Sequence, residues 1–441
     1  MKRAAVLSAL SCALWGCPGG GNTDGGGGSF DGGVQGAYYV FPDQNLWTHL
    51  PSLSIDPAGG LHLAYVTNLS GANGHPVRYA YCGGGCNQQS SWKVVELNDS
   101  AQGLSRPSVK LTPAPGNKPR VVWFHETAQA WFFSMCDDQC TKQASWFNVQ
   151  LHYANETASD EPYFAISPTG LSAFVYRDAT LGSEGIYYSQ CRQLCSVATN
   201  WSKTRLPLTP TAQKLSLAFD SIGRVHLAYR DTATPETIAY AVCDGACEQA
   251  TNWASVRLFS VGADGSVVLR LNTNDQPRLL YFAGAADDPE AKNRLFYASC
   301  DNQCTAAAGW SKASLGLPEA YGSGGFDFTL DTKGNPRAVY HVGVEPHATG
   351  YSSCKDGCGT DQAKWRHALV ETAASMEERV PAAPATGCSQ AYWRPGERPV
   401  VVLDANGNPR VAYEAKHVQT GGCSEFVDLR YTRVSGFLEV P

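Results

Sequence analysis

One short cysteine pattern occurs six times in this chain at nearly constant intervals. Each copy has an aromatic residue, a Cys-x₃-Cys pair beginning three residues later, and a tryptophan six or seven residues after the second cysteine. The first cysteines are 54, 55, 52, 57 and 54 residues apart. The pairs are Cys82 with Cys86, Cys136 with Cys140, Cys191 with Cys195, Cys243 with Cys247, Cys300 with Cys304, and Cys354 with Cys358. The aromatic residues are Tyr79, Phe133, Tyr188, Tyr240, Tyr297 and Tyr351, and the tryptophans are Trp92, Trp146, Trp201, Trp253, Trp310 and Trp365. A fixed period of this length predicts one supersecondary unit that is stacked repeatedly.

A second pattern, an alternating apolar run that ends in an aromatic residue, occurs seven times. The runs end at Tyr65, Trp123, Tyr176, Tyr229, Tyr281, Tyr340 and Tyr413. Turns rich in Asp, Asn, Gly and Pro precede them, as in Asp404-Ala-Asn-Gly-Asn-Pro409, and such residues favour hairpins. Each unit therefore contains four short strands: one before the turn, the apolar run, one that ends at the cysteine pair, and one that the tryptophan opens.

Seven such units predict an all-β fold, a seven-bladed β-propeller of four-stranded antiparallel blades over residues 37–441. Closing the ring removes the exposed sheet edges that an open array would leave. An open β-solenoid and tandem sandwiches are the alternatives. We expect the blades at about 51–97, 106–151, 161–206, 214–258, 266–315, 325–370 and 398–440.

The cysteine pairs are predicted to be disulfides that clip the turn between the third and fourth strands. An even number of cysteines in an exported chain favours this state. Half of a metal site and a redox motif are the alternatives. Tetrahedral zinc needs four ligands, and pairs spread around a ring lie too far apart to share an ion, so we expect no metal site and no cofactor.

The seventh unit lacks the cysteine pattern. Leu429-Arg-Tyr431 aligns with Val77-Arg-Tyr79, which would put Val434 in place of the first cysteine. The two cysteines after residue 17 that lie outside the six pairs, Cys388 and Cys423, are expected to form a disulfide of their own, because their loops emerge on the same face of a propeller. Either residues 37–41 or residues 436–440 would complete this blade and latch the ring; the sequence does not separate them.

The first residues are typical of an export leader. Lys2-Arg3 and the apolar run to Trp15 predict a signal peptide over 1–16, too short to span a bilayer. Leu14-Trp15-Gly16-Cys17 resembles the lipobox of bacterial lipoproteins, which implies acylation of Cys17 and, with Pro18, an outer-membrane or cell-surface location. An ordinary secretory signal is the alternative. The glycine-rich segment 17–36 is expected to be a flexible tether.

The place of the cysteine pattern also resembles sialidase-type (BNR, or Asp-box) repeats. That family has an S-x-D-x-G-x-x-W turn between the third and fourth strands of a propeller blade. Here Cys82-Gly-Gly-Gly-Cys86 through Trp92 stands in that place, with a disulfide where the Asp-box uses hydrogen bonds. No copy has the Ser-x-Asp-x-Gly order. The resemblance implies a propeller and raises a glycosidase as one possible activity, but it identifies no catalytic residue.

Candidate ligand-binding residues follow the second-strand aromatics, where propeller loops form an axial funnel. They are Arg177, Asp178, Arg230, Asp231, His125, His341 and Glu414, and the loops that lead into the first strands add Arg106, Glu161, Lys214 and Arg398. Arginines there could bind a carboxylate or a sugar acid, and carboxylates with His125 could bind hydroxyls or act as acid and base. Alternatively, Arg177 and Asp178 pair with Arg230 and Asp231 of the next blade. His62 and His226, at matching inner positions, are interpreted as packing residues.

The net charge limits the classes of binding partner that we expect. The formal net charge is −6 and no basic run exists, so a nucleic-acid partner is not expected. We expect a monomer that reaches a membrane only through its lipid anchor and binds a glycan, a peptide or an envelope protein at its axial face without catalysis. A carbohydrate-active enzyme, a sialidase-like glycosidase or a lyase, is the alternative, and a purely structural envelope protein is a third.

Overall fold

The computed structural model describes residues 36–39, 47–68, 75–86, 88–98, 107–113, 116–125, 127–153, 163–284, 292–345, 347–384, 387–422 and 427–437. Its strands form seven four-stranded antiparallel sheets, and the predicted seven-bladed propeller is confirmed. The leader, the lipobox with Cys17, and the tether up to residue 35 lie outside the described residues. So do Arg106 and Glu161.

Three strands of every blade are consecutive in the chain. The innermost strands are β2 (Trp47–Ile55), β6 (Ser108–Leu111), β10 (Tyr163–Ile166), β14 (Gln213–Phe219), β18 (Ser266–Leu271), β22 (Tyr321–Leu330) and β26 (Gln390–Leu403). The second strands are β3 (Leu61–Asn68), β7 (Pro119–His125), β11 (Ser172–Asp178), β15 (Val225–Asp231), β19 (Pro277–Ala283), β23 (Pro336–Val342) and β27 (Pro409–Thr420). The third strands are β4 (Val77–Cys82), β8 (Ala130–Cys136), β12 (Gly185–Cys191), β16 (Thr237–Cys243), β20 (Arg294–Cys300), β24 (Ala348–Ser353) and β28 (Val427–Phe437).

The fourth, outermost strand comes from two sources. In six blades it follows the third strand: β5 (Lys93–Asn98), β9 (Trp146–Tyr153), β13 (Ser202–Arg205), β17 (Trp253–Ser260), β21 (Trp310–Ser314) and β25 (Arg366–Thr372). In the seventh blade it is β1 (Gly36–Tyr39), which pairs antiparallel with β28 from Gly36↔Phe437 to Tyr39↔Val434. The segment before the first blade therefore latches the ring.

Blades seven and one also meet through side chains. The backbone N–H of Leu50 donates to the Glu414 carboxylate at 2.7 Å, and the N–H of Thr432 donates to the Thr48 hydroxyl at 2.7 Å. The described α-helix, α1 (Ala373–Arg379), lies between blades six and seven. No helix among the described residues has the length and apolarity needed to cross a bilayer.

The strand register corrects the alignment of the seventh unit. Val434 pairs with Ala412 as Tyr79 pairs with Ala64, so Val434 stands in place of the aromatic residue and not of the first cysteine. Phe437, three residues on, takes the cysteine's place. The sequence alignment on Tyr431 was wrong by three residues. Leu429-Arg-Tyr431 resembles Val77-Arg-Tyr79 locally, but the pairing with β27 places Val434 at the aromatic position.

Every Cys-x₃-Cys pair forms a disulfide within its own blade, as predicted. The bonds join Cys82 to Cys86, Cys136 to Cys140, Cys191 to Cys195, Cys243 to Cys247, Cys300 to Cys304, and Cys354 to Cys358. The Cα atoms of each pair are 5.6–5.8 Å apart, within the ordinary range. Cys388 is also disulfide-bonded, and Cys423, its expected partner, lies outside the described residues.

The second cysteine of each pair also holds the tryptophan that follows it. A three-residue 3₁₀ turn comes after each pair, and then the buried tryptophan. Its indole N–H donates to the carbonyl of the second cysteine at 2.9–3.2 Å in all six blades; the acceptors are Cys86, Cys140, Cys195, Cys247, Cys304 and Cys358. The disulfide-bonded turn, here called the clip, therefore holds the tryptophan in its buried position.

The aromatic residue before each pair contacts the tryptophan of the next blade, not that of its own. Ring centroids are 4.8–5.6 Å apart in five pairs: Tyr79–Trp146, Phe133–Trp201, Tyr188–Trp253, Tyr240–Trp310 and Tyr297–Trp365. Between blades six and seven, the ring of Phe437 makes the contact that a tryptophan makes elsewhere, with its centroid 5.0 Å from that of Tyr351. The repeated pattern thus encodes the contact between blades as well as the blade itself.

Candidate functional site

The innermost strands of all seven blades surround one axial cavity. Its volume is about 1620 Å³, and its wall runs from the start of these strands to the turns that end them. Ligand pockets for drug-sized molecules are about 300–1,000 Å³, so this cavity has room for a larger ligand. The cavity is therefore the candidate functional site.

Hydrogen bonds from one blade to the next fix the cavity wall. Backbone N–H groups of three innermost strands donate to a side chain of the preceding blade: Val109 to Ser52 at 3.1 Å, Leu269 to Ser216 at 2.9 Å, and Val401 to Asp327 at 3.1 Å. These donors are buried and satisfied, so the wall is held in place before any ligand arrives.

Most acidic side chains in the wall are engaged in ion pairs. The pairs are Asp327–Arg270 at 2.6 Å, Asp331–Arg337 at 3.3 Å, Glu397–Lys416 at 2.8 Å and Asp404–Arg410 at 2.6 Å. Asp264 is the exception among the described residues of the wall, and its side chain is exposed. Negative charge along the wall is therefore largely balanced by the protein itself.

Four lysines of the wall have no acidic partner within 4.0 Å among the described residues. They are Lys110, Lys214, Lys333 and Lys355. Lys214 lies near the start of β14, Lys110 lies near the end of β6, and the other two belong to the turns beyond the strands. Unbalanced positive charge is thus present along the whole wall, although the chain as a whole is acidic.

One charge cluster of the wall joins blades two, five and six. Arg270 of β18 contacts Asp327 of β22, and Lys110 of β6 is close enough to interact electrostatically with both. Burial and, to a smaller extent, the Arg270 guanidinium together lower the pKa of Lys110 to about 8, against the opposing effect of the Asp327 carboxylate. Two cations thus share one carboxylate, which leaves a net positive charge in the cavity.

The predicted rim residues of blades three and four make contacts within their own blades. Asp178 accepts from the Lys203 ammonium at 3.3 Å and from the N–H of Thr180, both in blade three. Asp231 contacts Arg257 at 3.2 Å and accepts from the Thr209 hydroxyl at 2.7 Å. Both carboxylates are buried, and they brace loops of the rim.

Of the seven predicted residues that follow the second-strand aromatics, Arg230 alone lines the cavity. Its guanidinium donates to the Gln213 amide oxygen and lies 3.9 Å from Glu236. Arg177, its counterpart in blade three, is half-buried outside the cavity wall. Of the loops that lead into the first strands, Lys214 and Arg398 reach the wall.

Glu414 belongs to the seam that closes the ring. Its carboxylate is fully buried, accepts from both the Arg398 guanidinium at 3.0 Å and the N–H of Leu50, and so joins blades seven and one. A carboxylate held in this way is poorly placed to transfer protons to a ligand.

The two predicted histidines are buried, and neither lines the cavity. His125 accepts from the N–H of Ala128 through Nδ1 at 3.2 Å, and burial lowers its pKa. His341 lies opposite a bulge of four residues, 322–325, in β22, and neither of its ring nitrogens has a hydrogen-bond partner among the described residues. Burial, followed by the smaller effects of the His347, Lys416 and Arg394 side chains, lowers the pKa of His341 to about 4.

His62 and His226 pack as expected. Each imidazole contacts the tyrosine hydroxyl of the third strand, Tyr79 at 2.7 Å and Tyr240 at 2.6 Å, and each faces an aspartate of the preceding turn at 3.4 Å. They therefore tie the first turn of the blade to its third strand.

Sequence reasoning missed Lys110 and Arg270, which lie on first strands. The register places them at one structural position, shared with Ser54, Ala165, Ala218, Thr329 and Val402. Two of seven members are basic and the others are small or uncharged. A blade-by-blade alignment of the first strands would have shown this signal.

Comparison with known proteins defines no family. No family model and no curated protein matches the chain. A protein of unknown function from Dyadobacter fermentans is similar in structure at 11% identity, covering 92% of this chain and 100% of that one, with a TM-score of 0.47. An ulvan lyase, a polysaccharide lyase, has 12% identity, coverage of 76% and 85%, and a TM-score of 0.46. An α-L-arabinofuranosidase from Fusarium graminearum has 12% identity, coverage of 75% and 100%, and a TM-score of 0.46. At these scores the likenesses carry no argument about ligand or reaction.

Proposed function

We propose that the protein is an exported, lipid-anchored β-propeller that binds a glycan, peptide or protein partner in its axial cavity without catalysing a reaction. The observation that carries this proposal is the cavity itself, which has a wall from all seven blades and room for an extended ligand.

The state of the carboxylates favours binding over catalysis. Asp178, Asp231 and Glu414, the predicted acid–base candidates, are buried and held by cations or backbone N–H groups of the scaffold. General acid–base chemistry needs a group within hydrogen-bond reach of the substrate and free to exchange its proton. Because these three carboxylates do not meet that requirement, the alternative of a carbohydrate-active enzyme loses its main support.

Export is supported by the disulfides. Disulfides form and persist in oxidising compartments, and six of them in one chain are typical of extracellular or exported proteins. Attachment through Cys17 remains a prediction from the lipobox resemblance.

A glycan array probed with the detergent-purified full chain tests the proposal, together with chromatography of the bound sugars for cleavage. The variant Ser323→Trp places an indole in the cavity from an exposed position of the wall. Ala254→Trp on the exposed face of β17 is the matched control. Loss of binding in the first variant alone, with every sugar recovered intact, supports the proposal. Cleaved products would establish the enzyme instead, and equal binding by both variants would place the site elsewhere.

A further inference from the structure

The charge of the cavity indicates the chemistry of its ligand; this inference rests on the proposed function. Arginines and aspartates of the wall neutralise one another in pairs, whereas Lys110, Lys214, Lys333 and Lys355 have no acidic partner within 4.0 Å among the described residues. One exposed carboxylate, Asp264, opposes them. Unbalanced cations within a concave wall concentrate field lines and attract anions.

The arrangement along the axis favours a chain-like anion over a single small one. Lys214 lies where β14 begins, Lys110 and Arg270 lie near the ends of β6 and β18, and Lys333 belongs to the turn after β22. Positively charged side chains therefore occur along the whole length of the cavity. A ligand with regularly spaced negative groups would contact several of them at once.

The backbone of the wall argues against an extended peptide. Peptides add to sheets through free N–H and C=O groups of an edge strand. In this cavity the edge N–H groups of Val109, Leu269 and Val401 already donate to side chains of the preceding blade.

Hydroxyl groups of the wall suit a saccharide. Ser108 and Ser266 are half-buried on innermost strands, and Ser323 is exposed on the bulge of β22. Such hydroxyls can donate to and accept from the hydroxyl groups of a sugar.

We propose that the axial cavity binds an acidic saccharide chain through its carboxylate or sulfate groups, with Lys110 and Arg270 as the central anion-binding residues. Arg270 donates through one terminal nitrogen to Asp327 and through the other to the Leu269 carbonyl, which leaves further N–H donors of its guanidinium for the anion's oxygens, and Lys110 supplies the unbalanced charge. Neutral sugars lack the group that these residues recognise.

Titration calorimetry on the full chain tests this inference with four probes: an oligogalacturonate, a sulfated carrageenan oligosaccharide, a neutral galacto-oligosaccharide and poly-L-glutamate. The first two distinguish carboxylate from sulfate recognition. We expect an acidic saccharide to bind, with affinity that falls as salt rises, and the neutral sugar to bind at least tenfold more weakly. Preference for poly-L-glutamate would overturn the choice of a saccharide.

Two charge-matched variants locate the site. Lys110→Gln is expected to weaken acidic-saccharide binding tenfold or more, since a hydrogen bond to a charged group is lost. Lys93→Gln, the same change at an exposed position of β5, is expected to leave affinity unchanged. Lys110→Arg keeps the charge and is expected to retain most of the affinity. Equal affinity of Lys110→Gln and the wild type overturns the inference.

The outcomes separate this inference from the proposed function. Neutral sugars that bind as tightly as acidic ones, and lose binding in Ser323→Trp, would sustain the axial site but refute the anionic ligand. Absence of binding to every probe and to the glycan array would refute both.

Discussion

The contact between Phe133 and Trp201 allows the interaction energy across the interface of two neighbouring blades, here called the seam, to be measured directly. Phe133 belongs to blade two and Trp201 to blade three, and their rings meet edge to face with centroids 4.9 Å apart. Both are buried, and the indole N–H also donates to the Cys195 carbonyl at 2.9 Å. Phe133 has no polar group, so its replacement removes a ring without leaving an unsatisfied donor.

The predicted quantity is the coupling energy of a double-mutant cycle. Phe133→Leu and Trp201→Leu are each expected to lower the free energy of unfolding by about 2 kcal/mol, from reduced burial and, for the tryptophan, a lost hydrogen bond. Edge-to-face pairs contribute about 0.5–1.5 kcal/mol beyond their area, so the double variant is expected to fall short of additivity by about 1 kcal/mol.

The same-blade pair provides the control. Trp146 follows Phe133 in the repeat, but its ring packs on Tyr79 of blade one at 4.8 Å. The cycle of Phe133→Leu with Trp146→Leu is expected to be additive within about 0.5 kcal/mol. Urea unfolding of all variants, followed by far-ultraviolet circular dichroism, gives both couplings. A larger coupling for Phe133 with Trp146 than with Trp201 would refute the assignment of the seam.

Three further predictions concern the anchor, the latch and a buried histidine. Cys17→Ser is expected to shift the protein from the membrane fraction to the soluble fraction, checked by fractionation and immunoblotting; unchanged retention would contradict lipidation. Deletion of residues 36–39 removes the outer strand of blade seven, exposes the edge of β28, and is expected to lower the melting temperature and promote aggregation. Because burial lowers the pKa of His341 from 6.5 to about 4, the folded state binds this proton more weakly than the unfolded state, so stability is lost as pH falls from about 6.5 toward 4. His341→Leu is expected to reduce that loss in denaturant titrations at pH 7 and about pH 4.5, and an unchanged difference between the two pH values would contradict it.

The fold was predictable because the repeat consists of cysteines and tryptophans, residue types with few alternative structural roles. Cysteines four apart can close a bend, and the tryptophan after them must be buried, so period and chemistry specified the third-to-fourth turn of each blade. The partner of each aromatic ring was not predictable. Tyr79 and Trp92 belong to the same copy of the pattern, yet Tyr79 packs on Trp146 of the next blade, a contact that depends on how the blades are placed against one another.

The candidate site was predicted less well than the fold. The rim residues were chosen because they follow an aromatic at the end of a second strand, but Asp178 and Asp231 turned inward to brace their own loops. Such bracing depends on loop geometry that strand periodicity does not specify. The cavity wall is formed mainly by the first strands, whose inward positions are fixed by register, and Lys110 and Arg270 stand out when these strands are aligned blade by blade.

The cysteine pattern occurs six times and the second-strand pattern seven times because of the way in which the ring closes. The cysteine clip lies in the turn between the third and fourth strands, so a blade can carry it only where the chain runs directly from one to the other. In the seventh blade the fourth strand is β1, which enters from the opposite end of the described chain, and no such turn exists to be clipped. The second-strand pattern needs no such connection and occurs in all seven blades. Six clips against seven second strands therefore indicate that the outer strand of the last blade precedes the first blade in the chain. A β1 deletion consequently removes the hydrogen-bonded outer strand that closes the ring, whereas loss of one clip leaves all four strands of its blade in place.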